Sequence, residues 1–170
     1  MPVVWSGTVV AINVAAGAGK PMESRPEVRA VPGRGLEGDR YFLGSGYYSA
    51  KPSHGGREVT LIEMETLEAL LTGVLNAEGA RGDVTLTAAE SRRNIATRGV
   101  PLNHLVGREF TVGAVRMRGT RLCEPCKYLE GLTRPGVMGG LVHRGGLRAT
   151  ILSAGIIRVG DDISPCEETH

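Results

Sequence analysis

At 170 residues the chain is long enough for one domain with a sizeable core and too short for two comfortable ones. Twenty Lys and Arg against eighteen Asp and Glu leave a net charge of +2, which gives no reason to expect a nucleic-acid partner. No stretch approaches the roughly 20 apolar residues of a membrane span, and the run from Met1 to Val14 lacks the basic start of a signal peptide. Three cysteines are an odd number for a disulfide framework, so a cytoplasmic protein without a membrane partner is expected.

Glycine is abundant and aromatic residues are scarce, which favours many turns and short strands over long helices. Val3 to Val14 is the first strand, and Ala15 to Pro26 reads as a loop. Val28 to Val31 is short and alternates. Pro32 to Tyr41 (PGRGLEGDRY) is turn-rich, although its glycines would also let the backbone approach a ligand. Phe42 to Arg57 is a long polar loop of the kind that often binds; it contains His54. Glu58 to Ile62 reads as a strand. Thr60 and Glu63 have capping-box spacing before an amphipathic helix from about Glu63 to Leu75, whose apolar stripe is core packing. Thr87 and Glu90 repeat that spacing before Arg92, Arg93 and Asn94, predicting a short helical turn.

Glu109 to Val112 and Val115 to Leu122 predict a hairpin about Gly113 and Ala114. Leu147 to Leu152 and Ile156 to Val159 predict a second one, and Asp161 to Ile163 closes the core. Residues 164–170 read as a flexible tail. With one convincing helix, the expected fold is all-β to β-rich α+β: a β-barrel with one clear amphipathic helix and short helical turns, forming a single domain over 1–170.

The chemistry concentrates between Val115 and Arg134. Cys123 and Cys126 form a C-x-x-C with Pro125, and Arg116, Arg118, Arg121 and Lys127 lie close in sequence. Thiolate is the reactive and metal-ligating form, and nearby cations favour it, so Cys126 is the expected reactive residue. Burial of both cysteines as small hydrophobes is the bland alternative. Dithiol redox chemistry would want a helix directly after the motif, which Gly131 and Pro135 argue against. A structural zinc site would need Cys123, Cys126, Cys166 and His170 together. A metal-free relay carrying a persulfide on Cys126 is a third possibility. Arg93, Asn94 and Arg121, joined by His54 and Arg148 at a barrel rim, form the expected anion site.

In order and spacing, GLEGDRY (Gly35 to Tyr41), HGGREVTLIE (His54 to Glu63), RRNIATRGVPLNHLVGREF (Arg92 to Phe110), GTRLCEPCKYLE (Gly119 to Glu130) and HRGGLRATILSAGIIRVGDDI (His143 to Ile163) resemble the MOSC domain family, named for the C-terminal domain of molybdenum cofactor sulfurase. The resemblance implies a β-barrel with a cysteine after a strand, matched by Cys126 as catalytic residue and metal ligand. It also implies molybdenum cofactor (molybdopterin) binding, sulfur carriage, or reduction of N-hydroxylated compounds. A stand-alone MOSC protein of this kind would need an external sulfur donor or electron-transfer protein as partner.

Overall fold

The computed structural model describes residues 4–50, 57–75, 81–82 and 84–167. Its strands are β1 (Gly7–Val14), β2 (Glu23–Arg25), β3 (Glu27–Val31), β4 (Gly35–Leu36), β5 (Val59–Glu63), β6 (Val74–Leu75), β7 (Arg81–Gly82), β8 (Ile95–Arg98), β9 (Glu109–Val112), β10 (Val115–Leu122), β11 (Leu147–Ile151), β12 (Gly155–Arg158) and β13 (Asp162–Pro165). The helices are α1 (Arg40–Leu43), α2 (Met64–Thr72), α3 (Lys127–Leu132) and α4 (Val137–Leu141), with a 3₁₀ turn at Leu102–Leu105.

The main sheet runs β13-β9-β10-β11-β5-β8-β1-β2, and β13 also pairs with β1. That last pairing, Gly7 with Ile163 and Thr8 with Asp162, closes seven strands into a barrel and removes their free edges. Among the described residues, β5 and β8 are the one pair of strands that runs parallel. Alternation along the strands sends Ile12, Leu61, Ile95, Phe110, Met117, Leu147 and Ile163 inward, all 0% exposed. The small sheet β12-β3-β4 adds Val28, Ala30, Leu36 and Ile157 to the same core.

The parallel pair is buried on both faces. Leu61 and Ile95 point into the barrel, whereas Ile62 and Ala96 belong to a second cluster with Leu67 and Leu70 of α2, Leu129 of α3, and Val137 and Leu141 of α4. Strands covered on both sides carry apolar residues on both faces, as Leu61-Ile62 and Ile95-Ala96 do. Glycine is required at Gly119 in β10, where a Cβ would lie 2.1 Å from the Leu105 carbonyl oxygen.

The expected β-barrel is present, and the β9–β10 hairpin forms with Val112 opposite Val115. Four local expectations are corrected. β12 does not pair with β11, because β10 and β5 occupy both edges of β11; β12 pairs with β3 instead. The box Thr60–Glu63 does not form: Thr60 lies within β5, and Glu63 precedes α2 without a side-chain cap. The tail starts later than Ser164, since Ser164 and Pro165 pair with Thr111 and Phe110. Finally, a six-residue helix, α3, does follow Cys126 and ends before Pro135. The box at Thr87 and Glu90 does form, each side chain accepting from the other's amide at 3.1 Å.

Removing the Leu61 side chain tests the barrel core. Leu61→Ala leaves a cavity in a fully buried site and is expected to cost about 2–5 kcal/mol in denaturant unfolding. A loss within ~0.5 kcal/mol would place Leu61 at the surface.

Candidate functional site

Residues that alternate with the core side chains point out of the barrel wall, and here they form a polar row. Arg121 of β10 lies opposite Arg148 of β11, and Arg148 lies opposite Thr60 of β5. Asn94, just before β8, continues the row. Its side-chain oxygen accepts from the Thr60 amide at 3.1 Å and hydroxyl at 3.2 Å, and its Nδ2 donates to the Asn13 carbonyl at 3.1 Å. Asn94 is thus a buried clip joining three strands.

Arg93 is buried beside it and binds main chain. Its Nε donates to the Gly145 carbonyl at 2.8 Å, Nη2 to the Cys123 carbonyl at 3.0 Å and Nη1 to the Ser91 carbonyl at 3.3 Å. The Cys123 amide in turn donates to the Gly146 carbonyl at 2.7 Å. The segment leaving β10 is therefore held at both the nitrogen and the oxygen of Cys123. Gly145 must stay glycine for this contact, because a Cβ there would lie 2.3 Å from the Cys123 oxygen and 3.2 Å from Pro125.

Beyond this anchor the chain turns through Pro125, and Cys126 caps α3 without a side-chain hydrogen bond to the helix. Cys123 is 2% exposed, whereas Cys126 is partly exposed. Both line a cavity of about 110 Å³ that also meets Arg40, Arg92, Arg93 and Arg148. Among the described lining residues, four arginines against one carboxylate, Glu124, make this cavity cationic, and Glu124 itself accepts from the His143 amide at 3.0 Å.

Two of these arginines are set by segments expected to be turns. Asp39 is fully buried and caps α1; it accepts from the Ala15 amide at 3.2 Å and from Arg40 Nη1 at 3.0 Å. Arg40 Nη2 then reaches the Arg92 carbonyl at 3.2 Å. Arg92 has φ 60°, in the left-handed region that few side chains adopt. Its Nη1 donates to the Lys20 carbonyl at 2.7 Å, while Nη2 is buried without a partner among the described residues. Burial first, and the neighbouring charge of Arg40 second, hold the Arg92 pKa below the usual arginine value. A cationic donor kept in this way is suited to an anion.

The cavity is also aromatic, with the Arg40 guanidinium over the Tyr41 ring, 5.0 Å from its centroid. All four tyrosines of the chain, Tyr41, Tyr47, Tyr48 and Tyr128, line this cavity. Tyr47 stacks on Tyr128 with centroids 4.0 Å apart, and Tyr48 meets Tyr47 edge-on at 4.8 Å. The Tyr48 hydroxyl donates to Cys126 Sγ at 3.7 Å. Burial, followed by this hydrogen bond and the charge of the Cys126 sulfur, pushes the Tyr48 phenol up to about 12.

The structure brings Arg93, Arg148 and Cys126 to one cavity and seats Asn94 behind them as a structural clip. Arg121 is exposed and does not line the cavity, although it shares the outer face with Arg148. His54 lies outside the described residues. Arg40 and the tyrosines are not among the residues expected at the site, and Arg92 is expected only as the neighbour of Arg93 in the short helical turn. Of the zinc set, Cys166 lines a different groove with Trp5 and Arg116, and His170 lies outside the described residues. Among the described residues no three His, Cys, Asp or Glu side chains are grouped to hold a metal ion.

Two outcomes follow from this geometry. Arg93→Ala strips donors from three carbonyls in a buried setting and is expected to cost about 3 kcal/mol or more. Arg148→Ala, at a partly exposed position, is expected to cost under ~1 kcal/mol; equal losses in chemical denaturation would contradict the anchoring role. For Tyr48 the folded pKa lies above the unfolded value of 10.0, so its contribution to stability is complete below about pH 10 and is lost as pH rises towards about 12. Ultraviolet difference titration of wild type against Tyr48→Phe is expected to show one phenol with a midpoint near 12. A midpoint near the ordinary value would contradict the contact.

Comparison with known proteins agrees with this architecture. The chain matches the MOSC domain model over residues 50–164. A comparison with curated proteins finds no match. Among solved structures, the YuaD protein of Bacillus subtilis is similar with TM-score 0.68 and 14% identity, over 96% of this chain and 100% of its own. YiiM from Geobacillus stearothermophilus is similar with TM-score 0.65 and 15% identity, over 95% of this chain and 75% of its own. YiiM from Escherichia coli gives TM-score 0.61 and 16% identity, over 99% of this chain and 72% of its own. At these identities the likeness to the three structures is one of fold. A seven-stranded barrel with a cysteine-bearing turn on its outer face, together with a family match over most of the sequence, establishes that the chain belongs to the MOSC domain family.

Proposed function

We propose that the chain binds a molybdenum cofactor, with Cys126 as the thiolate ligand or sulfur carrier. The observation that carries this reading is the pairing, in one cavity, of a partly exposed thiol with the guanidiniums of Arg40, Arg92 and Arg148, of which Arg92 has a buried nitrogen without a partner among the described residues. A soft thiolate suits a metal or sulfur, and arginine suits the phosphate of a pterin cofactor. The residues fit such a group. Arg92 and Arg40 would hold its anionic end, Arg148 would add charge, Cys126 would meet the metal, and the tyrosines would limit water. The bound cofactor would supply two-electron or sulfur-transfer chemistry.

Arg93 and Asn94 have a different role in this reading from the one expected of them. Their hydrogen-bonding groups are directed to main chain, so they fix the cysteine segment instead of meeting the ligand. Reduction of an N-hydroxylated compound would use an external electron donor, and sulfur carriage would use an external sulfur donor. Three free thiols are consistent with a cytoplasmic setting.

The test is metal and pterin analysis of protein from a cofactor-producing host. Wild type is expected to carry molybdenum and pterin. Cys126→Ser is expected to lose the metal. Arg92→Ala, which removes a charge-assisted contact of about 1.5–3 kcal/mol, is expected to bind about ten- to a hundred-fold more weakly. Equal metal in wild type and Cys126→Ser would remove the ligand role, and absence of both molybdenum and pterin from reconstituted wild type would remove the cofactor.

A further inference from the structure

We propose that Cys123 is a resolving thiol for Cys126, so that oxidation by a hydroperoxide closes a reversible Cys123–Cys126 disulfide. The proposal uses the same sulfur as the functional reading above but does not depend on the cofactor.

Three observations carry it. First, both cysteines line one cavity, three residues apart, and both are free thiols. Second, they differ in access. Cys126 is partly exposed in the cavity it shares with Arg40, Arg92 and Arg148, whereas Cys123 is 2% exposed and shielded from an oxidant in solution. Third, they differ in freedom. The Cys123 backbone is fixed by Gly146 and Arg93, while the Cys126 side chain makes no bond to the helix it caps and accepts a long 3.7 Å hydrogen bond from the Tyr48 hydroxyl. The motif therefore lies between a strand and a helix, β10 and α3, which supplies the helix that dithiol chemistry wants.

In the first step the Cys126 thiolate attacks a peroxide oxygen. An S–O bond forms, the O–O bond breaks, and the departing hydroxide takes up a proton as water; sulfur loses two electrons to the peroxide. In the second step the Cys123 sulfur attacks the Cys126 sulfur. An S–S bond forms, the S–O bond breaks, and hydroxide leaves as water with the Cys123 proton. An external dithiol restores both thiols and becomes a disulfide itself. While closed, the bridge withdraws Cys126 from any ligand or carrier role.

Trypsin gives a direct readout, because cleavage after Arg121 and Lys127 releases both cysteines in one peptide, Leu122–Lys127. The purified full chain is treated with hydrogen peroxide, alkylated and digested. Wild type is expected to give this peptide lighter by two hydrogens, unalkylated, and reverting with dithiothreitol. Cys123→Ser is expected to give no bridge and several-fold more cyclic 1,3-dione adduct on Cys126, the trapped sulfenic acid. Circular dichroism checks that the variant is folded, and the wild-type peptide alone suffices if it is not. Wild-type peptide alkylated at both cysteines, singly over-oxidised at Cys126, or bridged to Cys166 would overturn the proposal. A cofactor-free protein that still forms the bridge would leave the resolving role standing while removing the cofactor reading.

Discussion

The site depends on where one buried guanidinium is held. Arg93 reaches the carbonyls of Ser91, Gly145 and Cys123, three points brought together from separate stretches of chain. Charge-assisted donors in a buried setting are stronger than neutral ones, and unpaired carbonyls there would be costly. The barrel makes this arrangement possible. Arg93 lies two residues ahead of β8, Cys123 directly follows β10, and β11 begins after Gly145 and Gly146, so the bond pattern ties three strand ends into one cysteine-bearing turn. Gly145 completes the contact through what it lacks, since any side chain there would meet the Cys123 oxygen.

On this frame the chain places two unlike walls around one sulfur. The cationic wall starts from a buried carboxylate: Asp39 holds Arg40, and Arg40 holds the carbonyl of Arg92. A buried ion pair is weak evidence for stability, but here it sets the direction of two cations. The aromatic wall is a circuit of contacts. Tyr48 meets Cys126, Tyr47 meets Tyr48, and Tyr128, two residues beyond Cys126, stacks on Tyr47. The Tyr47–Tyr48 segment and the start of α3 thus hold each other at the cavity.

Much of the barrel was legible because its signals are local. The β9–β10 hairpin needs only Gly113 and Ala114 between two alternating runs, and the reciprocal cap at Thr87 and Glu90 needs only their spacing. The same spacing at Thr60 and Glu63 failed, because tertiary pairing with Asn94 claimed the Thr60 amide and hydroxyl first. Adjacency misled at β12, whose neighbour in sequence was already paired on both edges. In the site, Cys126, Arg93 and Arg148 stand out as thiol and charges near motifs. The roles of Arg93 and Asn94 did not, since a side chain that binds backbone and one that binds a ligand look alike in sequence. The tyrosine cluster was illegible for a related reason: Tyr47 stacks on Tyr128, and Tyr41 and Tyr48 reach the same cavity, only through the path of the intervening chain.

X-ray absorption at the molybdenum edge, on the full chain loaded in a cofactor-producing host, tests most directly whether Cys126 is a metal-binding thiolate in an anion-binding cavity. The account predicts a molybdenum signal in wild type whose sulfur contribution falls in Cys126→Ser and is unchanged in Cys166→Ser. A signal that is the same in all three proteins, or no molybdenum in any of them, would contradict it.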